Sequence, residues 1–175
     1  KSIDISPASS RTEIHAIITG HGWGTDSEDC AEFCVTQHKF TVTAAVELDG
    51  QLYLSKESES FEDELSSAGS DLGCAEKVPE GVTPNQHGTW PFGRAGWCPG
   101  GKANMFKANV GTLLHGGMKA IVSYEGLFDG QDYHPKPCHG DQCSSNGFDA
   151  TINMKSFLVQ FGMASDPNAK VLGSS

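Results

Sequence analysis

The clearest alternation of apolar and polar positions lies between Phe40 and Leu54. Val42, Ala44, Val46 and Leu48 take every second place, the period of a strand with one buried face. Asp49-Gly50 follows, supplying the residues a type I′ turn requires, and Leu52 and Leu54 carry the apolar face along the return strand. The pattern predicts a hairpin. Residues 11–19 are rich in β-branched side chains and read as a strand ending in the turn-rich cluster Gly20-His21-Gly22-Trp23-Gly24. Residues 105–115 and 118–124 read as two more strands meeting at Gly116-Gly117, a second hairpin signal. Ile152, Met154, Phe157, Val159 and Phe161 make a late strand within 149–163, whose change of phase predicts a bulge near Lys155-Ser156.

Between these elements the pattern fails. Residues 55–71 are acidic and serine-rich around Phe61 and Leu65, and read as an exposed loop with at most one helical turn and no core pattern. Residues 78–91 read as loop from their Pro, Gly and Asn, 129–146 as a long polar loop, and 164–175 as a loosely held tail. With no helical period and no internal repeat, the expected fold is all-β. It is a single-domain antiparallel β-sandwich of jelly-roll type.

Composition agrees with that class. The chain has 175 residues, enough for one real core, with 37% hydrophobic residues and 21 glycines. Twelve basic against twenty-two acidic side chains give a net charge of −10, a poor match to nucleic acid or anionic lipid. No apolar run approaches the roughly 20 residues that span a bilayer, so no membrane partner is expected. A neutral polymer such as an oligosaccharide fits better. The chain opens at Lys1 without initiator Met or signal peptide, so a leader or more is expected to have been removed.

Six cysteines, none in paired CxxC, predict a secreted or periplasmic protein with three disulfides. Proximity suggests Cys30–Cys34, Cys74–Cys98 and Cys138–Cys143, among the fifteen pairings that six cysteines allow. A loop as short as the first gains only about 2 kcal/mol from closure, against about 3.5 kcal/mol for the second. The short bridge therefore adds little stability for the constraint it imposes. What it displays is Glu32, at the centre of Cys30-Ala31-Glu32-Phe33-Cys34.

A second framed segment, Arg94-Ala95-Gly96-Trp97-Cys98-Pro99-Gly100, sets a guanidinium three residues from an indole. Arg94 there offers a fixed fork for amide or carboxylate oxygens, beyond the surface pairing usual for an arginine. Trp23, Trp90 and Trp97 all lie in Gly- or Pro-flanked loops, where a ring face can stack on a sugar. Trp23 and Trp97 are the stronger candidates. His134 and His139 flank Cys138, but a disulfide-tied loop explains them better than zinc. Asp129, Asp132 and Asp141 do not match the calcium-loop pattern. No metal or cofactor is expected, and no GxSxG, HExxH or phosphate-loop motif appears.

With those residues in hand, the chain resembles the carboxy-terminal domain of the peptide-N-glycosidase F family over about residues 11–100. The resemblance rests on the Trp23 glycine turn, on Cys-Ala-Glu-Phe-Cys with His38 four residues on, and on Leu72-Gly73-Cys74 leading to the Arg94–Gly100 segment. Beyond Gly101 it is one of strand pattern. It implies that Glu32 is an active-site carboxylate, that Arg94, Trp97 and Trp23 line a glycan cleft, and that Cys30–Cys34 and Cys74–Cys98 are bridged. His38 is carried over as a substrate-binding residue. The family fold is two jelly rolls side by side with the cleft between them, and its principal catalytic Asp lies in the amino-terminal domain. By the resemblance, the sequence is expected to lack that domain and the first strand of this one.

The expected function is therefore half of an amidase hydrolysing the N-acetylglucosamine–asparagine linkage of N-glycoproteins, with Glu32 and Arg94 as its catalytic residues, Glu32 holding the water or a sugar hydroxyl and Arg94 stabilising the charged carbonyl oxygen. Its partners would be an N-glycan or glycopeptide and an N-terminal jelly roll or second chain. A non-catalytic glycan- or protein-binding module is the alternative. A copper monooxygenase-like domain, with ligands among His115, His134, His139 and Met105 or Met118, is the weakest. If the chain hydrolysed amides alone, Asp26 or Glu28 would be the first suspects for the second acid.

Overall fold

A computed structural model describes residues 1–22, 31–65, 72–85, 88–133 and 150–162. Eight strands appear among them: β1 (Ser2–Asp4), β2 (Ser9–His21), β3 (Thr36–Leu48), β4 (Gln51–Glu64), β5 (Met105–Asn109), β6 (Lys119–Phe128), β7 (Gln131–Asp132) and β8 (Thr151–Gly162). One sheet runs β1-β6-β3-β4 with β7 also on β6, and the other runs β5-β2-β8. All pairings are antiparallel. The chain is an all-β antiparallel sandwich, as its pattern predicts.

Period-two alternation builds the core. On β2, Thr12, Ile14, Ala16 and Ile18 point inward, and on β3 the inward set is Thr36, His38, Phe40, Val42 and Ala44. Phe106, Ala120, Val110 and Leu114 complete the same cluster, with the Phe40 and Phe106 rings 5.2 Å apart. The β3–β4 hairpin closes as expected, with Asp49 at φ 51° and Gly50 at φ 75°. A second turn of this kind, Asp129-Gly130 (φ 50° and 72°), joins β6 to β7 inside the stretch expected to be loop.

Four sequence expectations need correction. The acidic stretch is strand as far as Glu64. Pairing with β3 overrides the low strand propensity of its acids, through Thr41–Ser60 and Thr43–Ser58 hydroxyl contacts of 3.0 and 2.8 Å and a 3.2 Å bond from Gln37 to Glu64. Phe61 packs on the core and Leu65 lies within it. Charge is also what protects a sheet edge from further pairing, which is where β4 sits. Secondly, residues 105–115 and 118–124 form no hairpin, because β5 pairs with β2 and β6 with β3 across the sandwich. Thirdly, β8 keeps unbroken register with β2 from Arg11↔Phe161 to His21↔Thr151, so no bulge lies at Lys155-Ser156. The register breaks instead at Ser10 and where residues 55–57 stand opposite Ala44. Lastly, Leu52 and Leu54 are exposed and do not continue the apolar face, because the register sets them opposite Glu47 and Ala45, on the other face from Val46 and Leu48.

Candidate functional site

At one end of the sandwich three segments meet: the end of β2, the 3₁₀ turn Ala31–Phe33, and the turn Arg94–Trp97. Backbone bonds join them. The Gly20 N–H donates to the Ala95 carbonyl at 2.8 Å, Ala95 N–H to the Glu32 carbonyl at 2.8 Å, and Glu32 N–H to the Gly22 carbonyl at 3.2 Å. Two glycines permit this closeness. A Cβ on Gly20 would stand 2.8 Å from the Ala95 Cβ, and one on Gly96 would stand 2.0 Å from the Ile18 carbonyl oxygen. Gly96 also takes φ +81°, open to glycine and costly to other residues.

That closure fixes two charges. Arg94 Nε lies 3.1 Å from Glu32 Oε1, with the side chains 7% and 13% exposed respectively. The guanidinium carbon sits 5.2 Å from both the Phe33 and the Trp97 ring centroids. Its other donors are aimed inward: Nη1 at the Thr89 and Phe92 carbonyls (both 3.4 Å) and Nη2 at Thr89 Oγ1 (3.3 Å). Trp97 Nε1 donates to the Gly20 carbonyl at 2.7 Å, and its ring lies 5.0 Å from that of His21. The indole is half-buried, with a guanidinium and an imidazole already against it.

Burial pushes the Glu32 carboxyl above the ordinary carboxylate value, and the charge and hydrogen bond of Arg94 only partly offset this. Desolvation outweighs the ion pair here because so little of either side chain reaches solvent. A carboxyl in this state keeps its proton more readily than a free one, as a group that exchanges protons with substrate needs.

Glu32, Arg94 and Trp97 thus converge, as the cysteine-framed segments suggest. His38 does not join them. It occupies an inward position of β3 and is 0% exposed, with Nδ1 2.7 Å from the Tyr124 hydroxyl and Nε2 2.9 Å from Thr36 Oγ1. Both ring nitrogens are taken up by a core network, away from the site to which the sequence motif assigns this histidine. Burial drives its pKa down to about 4 and that of Tyr124 up to about 12. Trp90 packs against the buried Cys74–Cys98 and Val82 cluster.

Cys74 and Cys98 form the expected bridge, with Cα atoms 5.5 Å apart. Cys34 is buried and disulfide-bonded, and its partner lies outside the described residues. Trp23, Cys30, Cys138 and Cys143 also lie outside them, with Asp26, Glu28, His134, His139 and Asp141. Among the described residues no group of three His, Cys, Asp or Glu side chains is placed to hold a metal. The backbone N–H of His115, considered above for copper, donates to Met118 Sδ at 3.4 Å. No helix among those residues is long and apolar enough to cross a membrane.

Sequence reasoning missed Phe33, Thr89, Phe92 and His21 as parts of this site. Phe33 was legible, since it adjoins Glu32 inside the same frame. The Thr89 and Phe92 contacts are mostly to carbonyls, which any residue offers, so no side-chain signal marks them.

A family model described as peptide-N-glycosidase F, C terminal, matches residues 1–159. The structure of PNGase F, a glycosylasparaginase from Flavobacterium meningosepticum, superposes with a TM-score of 0.58 at 21% identity, covering 92% of this chain and 42% of that one. A structure of peptide-N(4)-(N-acetyl-β-D-glucosaminyl) asparagine amidase gives 0.57 at 21% identity, over 91% of this chain and 42% of that one. At that identity the likeness carries the fold. The chain spans less than half the length of these structures. No curated protein matches it.

Proposed function

Because the chain belongs to the family of the peptide-N-glycosidase F C-terminal domain, we infer that it forms one half of an N-glycan amidase. The cleft would be shared with an N-terminal jelly roll or a second chain, and the substrate would be an N-glycoprotein or glycopeptide outside the cell. The observation that carries this is Glu32: a carboxyl held at 3.1 Å by a caged arginine, 13% exposed, with its affinity for a proton raised by burial.

Hydrolysis of a glycosylasparagine adds water to the side-chain carbonyl carbon, then breaks the C–N bond with a proton delivered to the departing glycosylamine. Glu32 is suited to orient that water or to hold a sugar hydroxyl. Arg94 is suited to position Glu32. Nε is committed to the carboxylate, Nη1 to the Thr89 and Phe92 carbonyls and Nη2 to Thr89 Oγ1, which among the described residues leaves one Nη2 hydrogen for the developing oxyanion. One carboxyl cannot serve both proton transfers and the sugar grip, so the second acid is sought in the partner domain. Trp97, and Trp23 beyond the described residues, are the proposed sugar contacts. The Cys74–Cys98 bridge suits an oxidising compartment.

The test is glycan release from a denatured glycoprotein. The chain alone should release little or none, and adding the N-terminal domain should restore release. Full activity of the chain alone would contradict a divided site.

A non-catalytic glycan- or protein-binding module is the second reading. The inward use of the Arg94 donors favours it, since a buried pair of this kind also serves to staple loops. Glycan binding without release when the partner is present would decide for it.

A further inference from the structure

A cavity of about 320 Å³ opens against the same indole, lined by Trp97, Lys77, Lys102, Asn104, Met105 and Glu80 among others. Its size is at the lower end of ligand sites, which begin at about 300 Å³. Two segments build it, and the Cys74–Cys98 bridge ties them together. Lys77 stands just past the helical turn Gly73–Glu76, with its N–H on the Cys74 carbonyl. Lys102 follows Gly101, whose N–H bonds the Cys98 carbonyl. Thr83 N–H to Pro99 O at 2.9 Å braces the two segments, and Asn104 N–H to Gly96 O at 3.2 Å closes the second on itself.

The charge of this cavity runs against that of the molecule. In a chain of net charge −10, two lysines line one small cavity that, among the described residues, has a single carboxylate, Glu80. Among the described residues neither lysine has a carboxylate within ion-pair distance, whereas Arg11, Lys39, Arg94 and Lys119 all do. Two lysines carried on a disulfide-tied frame suit an anion. An indole beside them suits the C–H face or edge of a sugar ring, and the Asn104 amide suits its hydroxyls.

We propose that this cavity binds an anionic saccharide, one sugar ring bearing a carboxylate or sulfate, with Lys77 and Lys102 on the anion and Trp97 against the ring. The sugar part rests on the glycan reading above, and the anion part rests on the cavity itself. Binding is read on this chain alone with no amide cleaved, so its failure and a failure of glycan release are separate results.

The experiment is an NMR titration of the chain with glucuronic acid, glucose 6-sulfate, glucose and inorganic sulfate, following the Trp97 indole N–H. At least one of the two anionic sugars should shift that signal and bind about tenfold more tightly than glucose, a difference of about 1.4 kcal/mol. Which of them gains identifies the anion. The K77Q/K102Q variant, altered at surface positions, should melt like the parent and bind that sugar no better than glucose. Equal affinity for the charged and neutral sugars, no binding of any, or an undiminished K77Q/K102Q affinity would overturn the proposal. Bare sulfate binding as tightly as the sugars would overturn its saccharide part.

Discussion

Glu32 and Arg94 are the ion pair of this site, each largely buried, and this makes their energetics asymmetric. Replacing Arg94 with Met keeps much of its volume but leaves a desolvated carboxylate without a cation, which typically costs about 3–5 kcal/mol. Glu32→Gln on the same background should recover a large part of that loss, because the stranded charge is gone. Urea melts of the two single variants and the double variant measure this directly. Additive losses would mean that the pair is not coupled.

His38 makes a different residue-scale prediction. Its folded pKa of about 4 lies below the ordinary 6.5, so the unfolded chain binds the proton more readily. Its contribution is complete above 6.5 and is lost as pH falls toward 4, an effect of order 3 kcal/mol. A His38→Gln variant should therefore lose less stability than the parent between pH 7 and pH 4.5. An identical acid slope in both would show that His38 does not titrate in this way. The position of this residue was legible. Val42 and Ala44 set the inward phase of the strand, and counting back by twos reaches His38. The cysteine motif drew it toward the site instead.

At the scale of elements, the glycines separate backbone cost from crowding. Gly50 has φ +75° with nothing within 4 Å of a would-be Cβ, so Gly50→Ala should cost only the left-handed backbone term of about 1–2 kcal/mol. Gly96 has a similar φ but would drive its Cβ to 2.0 Å from the Ile18 carbonyl oxygen. Gly96→Ala should cost clearly more and should disturb the Arg94–Trp97 turn that it closes. Equilibrium unfolding and Trp97 fluorescence of the two variants check this, and equal losses would contradict the packing described.

The β3–β4 hairpin was readable because alternation and the Asp49-Gly50 pair agree. Its far half was not, since an edge strand faces solvent on its polar side and its acids look like loop. Nor did the Gly116-Gly117 signal show that β5 and β6 lie in different sheets. A turn signal says that the chain reverses. It does not say which sheet the next strand joins.

For the whole molecule, the two sheets place one rigid end of the sandwich at the disposal of three short segments, and those segments bring Glu32, Arg94 and Trp97 together. The acid–guanidinium–indole set could be picked from the cysteine frames alone, since a disulfide-bounded segment is where a side chain can be fixed without core burial. The direction of the Arg94 donors could not, because their partners are largely main-chain carbonyls from residues 89–92. The central claim is that Glu32 acts chemically in a divided amidase. Its most direct test is N-glycan release by Glu32→Gln in the presence of the N-terminal domain, with circular dichroism to confirm an intact fold. Release should fall by roughly 10²-fold or more, the scale of a lost proton-transfer group; a folded variant that releases glycan at the parent rate would contradict it.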